Sequence, residues 1–542
     1  MPGVRTEVVA PKAQTGRRER PTRHPATSRA VQQRVDTSPA RAASPDPASA
    51  SPSAPTGPGR PPSLPAPGVG GPDDTGLLPK VMARRRRRLL AVLGAVAVLS
   101  AVGLVLALLS WQPDRSEPAR SLTTAEAERL AAVRVTNYRD LRTGVHVTTG
   151  TGSARTELVG WVDWSRPLLY LDVGGPGAGA ERGLLQATPA LLVIRPDPTA
   201  VPTAAPPPLV PPADRWRLHE LPAGSALAPV LDLLFDLAAD KPDPAAALPA
   251  AGARWVAQET VPAGPVDVLQ GPLPGQVGVA STGDPDTRPR YWVDQDARLH
   301  RLTAQLPGAG PVTVTLNRTD RPTLRPVDAL GGRPGLPRAL TTAEQDRLDR
   351  LPQRLRARTG ATATLTAPTG RNTNLRGAGW INWTARTAYL AVADLGVPQR
   401  RTLLRRDATG TTRADVPATG DPERPDRPPL PPPADATWRT ERAGTDDLTT
   451  LIDVALAAGR TAPRGTAVRL REDTLADRAV DVVELRTTRS LQRYWIDRDG
   501  LLRRVELRTG PGAWAQLDLT PGTVPALPAP KRSTSRAAGA SR

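Results

Sequence analysis

Cysteine is absent from this chain of 542 residues. Its absence excludes disulfides, an acylated lipobox cysteine, a cysteine nucleophile and a zinc–thiolate site, so an exported domain must be stable through its core alone. The sequence also lacks the G-x-S-x-G, H-E-x-x-H, G-x-G-x-x-G and Walker motifs of common catalytic and nucleotide sites. We therefore predict a protein that is not an enzyme and that holds no cofactor and no metal.

Acidic residues are outnumbered, with 53 Asp and Glu against 72 Lys and Arg, and the net charge is +19. Up to Arg88 the chain has sixteen Lys and Arg against six Asp and Glu, so this segment carries about half of the excess. The region that follows is predicted below to be exported and cannot meet the chromosome. We therefore predict no nucleic-acid partner and expect the basic segment to face anionic lipid.

Charge and proline are both missing from residues 89–110. A bilayer core of roughly 30 Å needs about 20 apolar helical residues, and this run supplies them. Five arginines at 84–88 come directly before it, and Trp111 comes directly after it. By the positive-inside rule we predict a single-pass protein of the cell membrane, with a cytoplasmic N-terminus and extracytoplasmic C-terminal domains. The predicted transmembrane residues include Leu89, Gly94, Gly103 and Ser110.

The two ends of the chain lack the apolar residues that a core needs. Residues 1–83 are mostly Pro, Ala, Ser, Thr and Arg, without an aromatic residue, and residues 525–542 are basic and small. Such segments cannot bury enough apolar surface to offset the entropy of ordering. We predict a disordered cytoplasmic tail over 1–83, a basic cluster with its transmembrane helix over 84–111, and a disordered tail over 525–542.

After the apolar run the chain repeats itself, with the order of every element preserved. Both copies contain L-T-T-A-E, G-W-[VI]-[DN]-W, a Y-L pair, a Pro-rich segment that ends in P-A-D before a tryptophan, V-D-V, and R-Y-W-[VI]-D-x-D. The first copy of each begins at Leu122, Gly160, Tyr170, Pro206, Val266 and Arg290; the second begins at Leu340, Gly379, Tyr389, Pro428, Val480 and Arg493. We predict two homologous domains, 120–322 and 338–524.

A Gly/Pro-rich linker, 323–337, is predicted between the two domains, and we expect few contacts to cross it. Thr123 with Glu126, and Thr341 with Glu344, form sequence patterns of capping boxes that open a helix in each domain. Trp161 and Tyr170 flank a short turn that predicts a hairpin. A second helix is predicted over 227–239 and again after Thr445, its expected N-cap, and alternating strands follow. Each domain therefore reads as α+β.

Two Asp-x-Asp pairs, 294/296 and 497/499, could be calcium ligands, but further oxygen ligands and a late glutamate are missing. Asp499-Gly500 between alternating strands is typical of a tight turn, and we predict turns here. The histidines are His24, His146, His219 and His300, so the second domain has none. A histidine general base shared by both domains is therefore excluded.

The order of these motifs resembles that of the LolA/LprG-like lipoprotein carrier superfamily, here as two tandem divergent copies on one membrane anchor. The resemblance implies that each domain is a curved antiparallel sheet, a half-barrel, covered by helices. It also implies that the sheet and the helix over 227–239 enclose a cavity for acyl chains or lipidated molecules. The residues that would line this apolar ligand cavity are Trp161, Leu231, Leu234, Phe235 and Trp292. The same tryptophans could instead simply pack in the core of the sheet.

Two hypotheses of function remain. The first is a membrane-anchored protein whose two extracytoplasmic domains bind an apolar or lipidic ligand without catalysis. The alternative is an envelope module for protein–protein interaction or sensing, with filled cores and an envelope protein as its partner. The helix over 227–239 has more leucines than one apolar stripe requires, whereas its counterpart has Thr449, Thr450 and Ala455. We therefore expect the first domain, and not the second, to take up a fatty acid.

Overall fold

Each repeat folds into one large antiparallel sheet with few helices. The computed structural model describes residues 118–277, 287–441, 446–488 and 490–529. The first sheet has twelve strands, in the order β1-β8-β9-β10-β11-β12-β2-β3-β4-β5-β6-β7. The second has eleven, in the order β19-β20-β21-β22-β23-β13-β14-β15-β16-β17-β18. This mostly-sheet α+β architecture fits two tandem domains.

The first sheet comprises β1 (Arg120–Ser121), β2 (Arg142–Thr149), β3 (Thr156–Asp163), β4 (Leu168–Gly174), β5 (Gly183–Ala187), β6 (Leu192–Pro196), β7 (Arg217–Leu218), β8 (Arg254–Val261), β9 (Gly264–Gln270), β10 (Arg290–Val293), β11 (Leu299–Leu306) and β12 (Gly310–Asn317). The second comprises β13 (Gly360–Pro368), β14 (Asn374–Asn382), β15 (Thr387–Asp394), β16 (Arg400–Asp407), β17 (Gly410–Pro417), β18 (Arg439–Glu441), β19 (Thr466–Leu475), β20 (Arg478–Arg486), β21 (Leu491–Asp497), β22 (Leu502–Arg508) and β23 (Trp514–Gly522). The helices are α1 (Thr124–Asp140), α2 (Leu227–Asp236), α3 (Thr342–Asp349), α4 (Leu351–Ala357) and α5 (Asp447–Ala458).

The two sheets have the same connectivity strand by strand. β8 to β12, then β2 to β7, correspond in order to β19 to β23, then β13 to β18. The short strand β1 is replaced in the second repeat by an isolated bridge between Arg338 and Arg469. The bulges are also shared, because the register shifts after Trp292 in one sheet and after Trp495 in the other. The sequence repeat is therefore a repeat of the whole topology.

The opening helices confirm the predicted capping boxes. The hydroxyl of Thr123 accepts from the Glu126 amide while the Glu126 carboxylate accepts from the Thr123 amide, and Thr341 with Glu344 does the same. In the second repeat this helix ends at Asp349 and a new one starts at Leu351. Pro352, which has no amide hydrogen, lies in the first turn of the new helix and explains the break.

The second helix of each repeat is close to its predicted position. In the first repeat it ends at Asp236, three residues before the predicted end at Ala239. In the second repeat its N-cap is Asp446, whose carboxylate accepts from the Thr449 amide. The expectation of Thr445 as the cap was therefore wrong by one residue, because the aspartate carboxylate satisfies the same orphan amide. Thr445 itself lies outside the described residues.

Each sheet packs its helices against one face. Alternate residues of the strands, such as Leu158 and Val162 on β3, join α1 and α2 in the core of the first repeat. The core of the second repeat is built in the same way from α3, α4, α5 and the corresponding strands. We call this side of each sheet the helix face and the opposite side the outer face.

Contacts between the repeats contradict the expectation that few would cross the linker. Leu324, Val327 and Ala329, within the predicted linker, are buried on the outer face of the first sheet. Ala513 of the second repeat belongs to the same cluster. The carbonyl oxygen of Gly331 accepts a hydrogen bond from Arg493. Both repeats accordingly belong to one compact unit, and residues 324–331 are part of the packing between them.

Several predictions concern residues that the structure does not describe. These are the tail 1–83, the basic cluster and apolar run 84–111 with Leu89, Gly94, Gly103 and Ser110, and the end of the chain from residue 530. Within the described ranges, no helix combines the length and the apolar character needed to cross a bilayer.

Candidate functional site: a cleft between the two repeats

The five residues predicted to line one cavity are distributed over three clusters. Leu231 and Leu234 lie in the core on the helix face of the first sheet, and Phe235 packs at the edge of that core. Trp161 lies on the outer face with Tyr170 and the linker residues. Trp292 also lies on the outer face, in a separate cluster with Val266 and Val268. The prediction of a single cavity lined by all five was therefore wrong.

Strand alternation explains why the two tryptophans miss the helix face. Successive side chains on a strand point to opposite faces, and Trp161 and Trp292 are out of phase with Val162 and Tyr291, which enter the core. Their indole N–H groups donate to outer-face carboxylates, Trp161 to Asp320 at 2.7 Å and Trp292 to Glu259 at 2.7 Å. Trp161 and Trp292 are thus structural residues of the outer face.

The space between the first sheet and its helices is filled by side chains. Leu227, Leu231, Leu233, Leu234 and Leu237 are all buried in the core. The cavity that remains near Leu130 and Tyr291 measures about 20 Å³, whereas ligand sites usually measure about 300–1,000 Å³. The surplus leucines of α2 therefore fill a core, and they do not close a cavity beneath the helix.

A cleft large enough for a ligand lies at the edge of that core, between the repeats, with a volume of about 880 Å³. Its apolar wall comes from α2, from the turn between β5 and β6, and from the segment after β7. The apolar side chains are Leu191, Leu192, Leu218, Leu221, Leu231 and Phe235. Its other wall comes from the second repeat, through Gly370, Arg371, Gly510 and Pro511. Leu231 and Phe235 are the two predicted site residues that line it.

Two asparagines of the second repeat hold the wall of the cleft in place. Asn374 is buried, its side-chain oxygen accepts from the Leu218 amide at 2.7 Å, and its NH₂ group donates to the Leu218 carbonyl at 2.8 Å. Asn372 accepts from the Glu220 amide at 2.9 Å. An amide side chain here satisfies a backbone donor and acceptor as a neighbouring strand would, so the cleft exists only when both repeats are together.

The polar part of the cleft contains His219, Glu220, Asp232 and Arg371. Arg371 pairs with Glu220 at 2.6 Å, although both side chains are substantially exposed. The Nε2 atom of His219 is buried and has no hydrogen-bond partner among the described residues. Burial, with Arg217 nearby, lowers the pKa of His219, so its ring is neutral at neutral pH. The cleft therefore offers an apolar wall and one uncharged polar side chain beside it.

A second cavity between the repeats, of about 1190 Å³, has a different character. Much of its lining is charged and already paired: Arg504 contacts Asp518 at 2.5 Å and Asp328 at 2.8 Å, and Arg376 contacts Glu423 at 3.4 Å. Because its charges are satisfied within the protein, we regard the 880 Å³ cleft as the candidate site.

The Asp-x-Asp segments confirm the predicted turns. Asp294 accepts from the amides of Asp296 and Arg298, and its other oxygen contacts His300 at 2.9 Å. At the equivalent place Asp497 accepts from the Leu501 amide and contacts Arg503 at 2.7 Å. Within the described part of the chain no group of acidic or histidine residues is arranged to hold a metal ion.

The sequence reasoning missed the contribution of the second repeat to the site. Arg371 and Asn372 lie in the turn before β14, and Asn374 is the first residue of that strand. This polar segment has no motif, and nothing in its local pattern indicates a contact with residues about 150 positions earlier. His219 was considered only as a general base. A histidine close to Leu218 and Leu221 was the one signal in the sequence.

Comparisons with known proteins add little to this geometry. No family model matches the sequence, and no curated protein matches it. Among solved structures, the chain is similar to a DUF1329 family protein from Desulfovibrio piger, with 9% sequence identity, over 33% of this chain and 92% of that one, at a TM-score of 0.18. A likeness of that size carries no argument about fold or function.

Proposed function

We propose that this protein is a non-enzymatic binding protein whose two repeats together take up an apolar or lipidic ligand in the cleft between them. The observation that carries the proposal is the 880 Å³ cleft with its leucine- and phenylalanine-lined wall, next to a core that is itself filled. Ligand sites are typically concave and mostly apolar, with a few polar groups that orient the ligand. His219 and the Arg371–Glu220 pair would supply those groups at the mouth.

The proposal places each repeat in the LolA/LprG-like superfamily, as a half-barrel covered by helices. Support comes from the order of the motifs and from two sheets of identical connectivity, each with helices on one face. The site differs from the expectation in one respect. The ligand would lie at the edge of α2, against the second repeat, and it would not lie beneath the helix.

The proposal also includes a membrane anchor, with both repeats outside the cytoplasm. Its support is the uncharged run 89–110 behind five arginines, which lies outside the described residues. A protein held at a membrane by its N-terminus would present the cleft close to a source of lipidic ligands. No nucleic acid is expected as a partner.

Uptake of a fluorescent fatty acid by the full-length chain tests the ligand. Phe235→Gln should weaken uptake at least tenfold, because Phe235 is half-buried at the cleft and contributes apolar surface to it. Leu456→Gln is a matched control, since Leu456 is half-buried at the equivalent position of α5. The indole N–H of Trp164 donates to the Leu234 carbonyl, and that of Trp383 donates to the Ala455 carbonyl. Phe235 and Leu456 each come directly after the residue so bonded, and they are therefore equivalent.

Three results would contradict the ligand proposal. The wild-type chain could show no saturable uptake, Phe235→Gln could bind as well as wild type, or Leu456→Gln could weaken uptake equally. A thermal melt of each variant distinguishes loss of the site from loss of the fold.

The alternative, a protein-interaction module, has one observation in its favour. In and just before the Pro-rich segment of the first repeat, three apolar side chains are exposed: Val201, Leu209 and Val210, at 78%, 60% and 66% of their surface. Exposed apolar clusters often mark interaction surfaces. If this function is correct, Leu209→Ser with Val210→Ser should abolish site-specific crosslinking to an envelope protein without changing the melt. Failure to find any crosslink at this segment would argue against it.

A further inference from the structure

Two buried arginines, four residues apart on one strand, lie next to an aromatic cluster on the outer face of the second sheet. Arg401 and Arg405 belong to β16, and Leu403 between them is buried in a cluster with Trp380 and Tyr389. Arg405 lies directly opposite Tyr389 on the neighbouring strand. Trp438 packs against the same cluster, with its ring 6.3 Å from that of Tyr389.

Neither guanidinium group has the partners that its burial requires. Arg401 is 9% exposed and Arg405 is 7% exposed. Among the described residues, the Nε and NH1 atoms of Arg401 have no hydrogen-bond partner and no carboxylate pairs with it. Arg405 has one weak contact, from NH1 to Asp407 at 3.4 Å. The hydroxyl of Tyr389 is also buried without a partner.

An unpaired buried charge is among the most expensive features a fold can contain. Removing a guanidinium group from water costs several kcal/mol unless a counter-charge and hydrogen bonds replace the lost hydration. Arginine is suited to such a counter-charge, because its planar fork binds carboxylate and phosphate oxygens in pairs. Arg401 and Arg405 occupy alternate positions of β16 on either side of Leu403, and Arg405 pairs with Tyr389, so all three side chains emerge on the same face of the sheet.

The first repeat shows how the same position is satisfied when it carries no charge. Gln186 lies opposite Tyr170, as Arg405 lies opposite Tyr389. The Gln186 side chain donates to the Arg325 carbonyl at 3.0 Å and accepts from the Val327 amide at 2.9 Å. It thereby holds the linker on the outer face. An arginine side chain has no hydrogen-bond acceptor and cannot make the same pair of bonds, so this position has a different role in the second repeat.

We propose that Arg401, Arg405 and the hydroxyl of Tyr389 form a binding site for a phosphate group. A phosphate offers enough oxygens for two guanidinium forks and a hydroxyl at once, whereas a carboxylate offers two. Burial raises the pKa of Tyr389 to about 12, so its hydroxyl keeps its proton at neutral pH and donates. The site is separate from the apolar cleft and does not depend on the proposed function.

Calorimetry of the full-length chain in phosphate-free buffer tests the site, with inorganic phosphate and dihexanoyl phosphatidic acid, below its micellar concentration, as probes. We expect saturable binding of inorganic phosphate by the wild-type chain, and at least tenfold weaker binding by Arg401→Gln and Arg405→Gln. Arg400→Gln is the control, because Arg400 lies on the same strand but is exposed and pairs with Asp415 at 2.8 Å. Tighter binding of phosphatidic acid than of inorganic phosphate would identify a lipid headgroup, and equal binding would identify free phosphate.

Thermal melts provide a readout that does not depend on calorimetry. Phosphate should raise the melting temperature of the wild-type chain and leave that of Arg401→Gln unchanged. Without phosphate, Arg401→Gln should melt at or above the wild-type temperature, since it removes an uncompensated charge. The proposal is overturned if no phosphate binds, if acetate binds as tightly, or if Arg401→Gln binds phosphate like wild type.

Discussion

Trp164 and Trp383 are the side chains that join each hairpin to its central helix. The indole N–H of Trp164 donates to the Leu234 carbonyl at 3.0 Å, and that of Trp383 donates to the Ala455 carbonyl at 3.0 Å. Both residues are almost fully buried. The second tryptophan of each G-W-x-x-W motif is therefore retained for a hydrogen bond as well as for its volume.

Trp164→Phe should lower the free energy of unfolding by about 2–4 kcal/mol. The change leaves the Leu234 carbonyl without its buried donor, at about 1–3 kcal/mol, and it also opens a small cavity. Urea unfolding followed by circular dichroism would measure the loss. Trp380→Phe is the control, since Trp380 is also buried but its indole N–H has no hydrogen bond within the described ranges. An equal loss in both variants would show that volume alone matters.

At the scale of the element, each repeat opens with the same ionic cap. Arg120 reaches both carboxylate oxygens of Glu126 at 2.8 Å, and Arg338 reaches those of Glu344 at 2.7 and 2.8 Å. These arginine hydrogen bonds hold the pKa of Glu126 and that of Glu344 at about 2. The capping boxes are thus extended by a residue that lies upstream of each helix.

The ionic cap predicts a loss of stability in acid. Because the folded-state pKa of Glu344 is depressed below its ordinary value of 4.5, its contribution is complete above that pH and is lost as the pH falls towards 2. Glu344→Gln should cost about 0.5–1 kcal/mol at pH 7, a figure discounted because Arg338 is 43% exposed, and much less at pH 2. Urea unfolding at several pH values checks this, with the exposed Glu472→Gln as control. A constant difference at every pH would contradict the prediction.

At the scale of the whole molecule, the two repeats depend on each other through a small number of buried polar contacts. Asn374 bonds both backbone groups of Leu218, and Arg376 donates to the Trp216 carbonyl at 2.6 Å. Arg217 and Arg376 share Glu423 of the second repeat. Strand β7 and the residue before it are therefore held in place by side chains of the second repeat.

Asn374→Ala should destabilise the chain by about 1–3 kcal/mol, because it leaves a buried amide and a buried carbonyl of Leu218 unsatisfied. It should also reduce fatty-acid uptake, since Leu218 lines the cleft. Asn382→Ala is the matched control, as Asn382 lies at the other end of β14 and caps an exposed turn within its own repeat. Wild-type stability of Asn374→Ala would mean that the two repeats are energetically independent.

The orientation of the chain across the membrane is the remaining prediction at this scale. Protease added to intact spheroplasts should digest the chain after Trp111 and spare the N-terminal tail, because the arginines at 84–88 lie on one side of the apolar run. Antibodies against the two ends would measure the outcome. Survival of the C-terminal repeats would reverse the orientation proposed here.

Local physical chemistry made the elements predictable from the sequence alone. A capping box needs only a hydroxyl and a carboxylate three residues apart, a tight turn needs an aspartate and a glycine, and an amphipathic helix needs a spacing of 3.6 residues. These signals depend on neighbours in the chain. The duplicated motifs also predicted two domains, and the two sheets have the same strand order.

Only the tertiary structure decided where the candidate sites lie. The face on which Trp161 and Trp292 emerge depends on strand register, and a shift of one residue would have exchanged the faces. The cleft depends on the hydrogen bonds between Asn374 and Leu218, and the arginine site depends on the burial of Arg401. Both arise from contacts between residues distant in the sequence, for which the local pattern carries no signal.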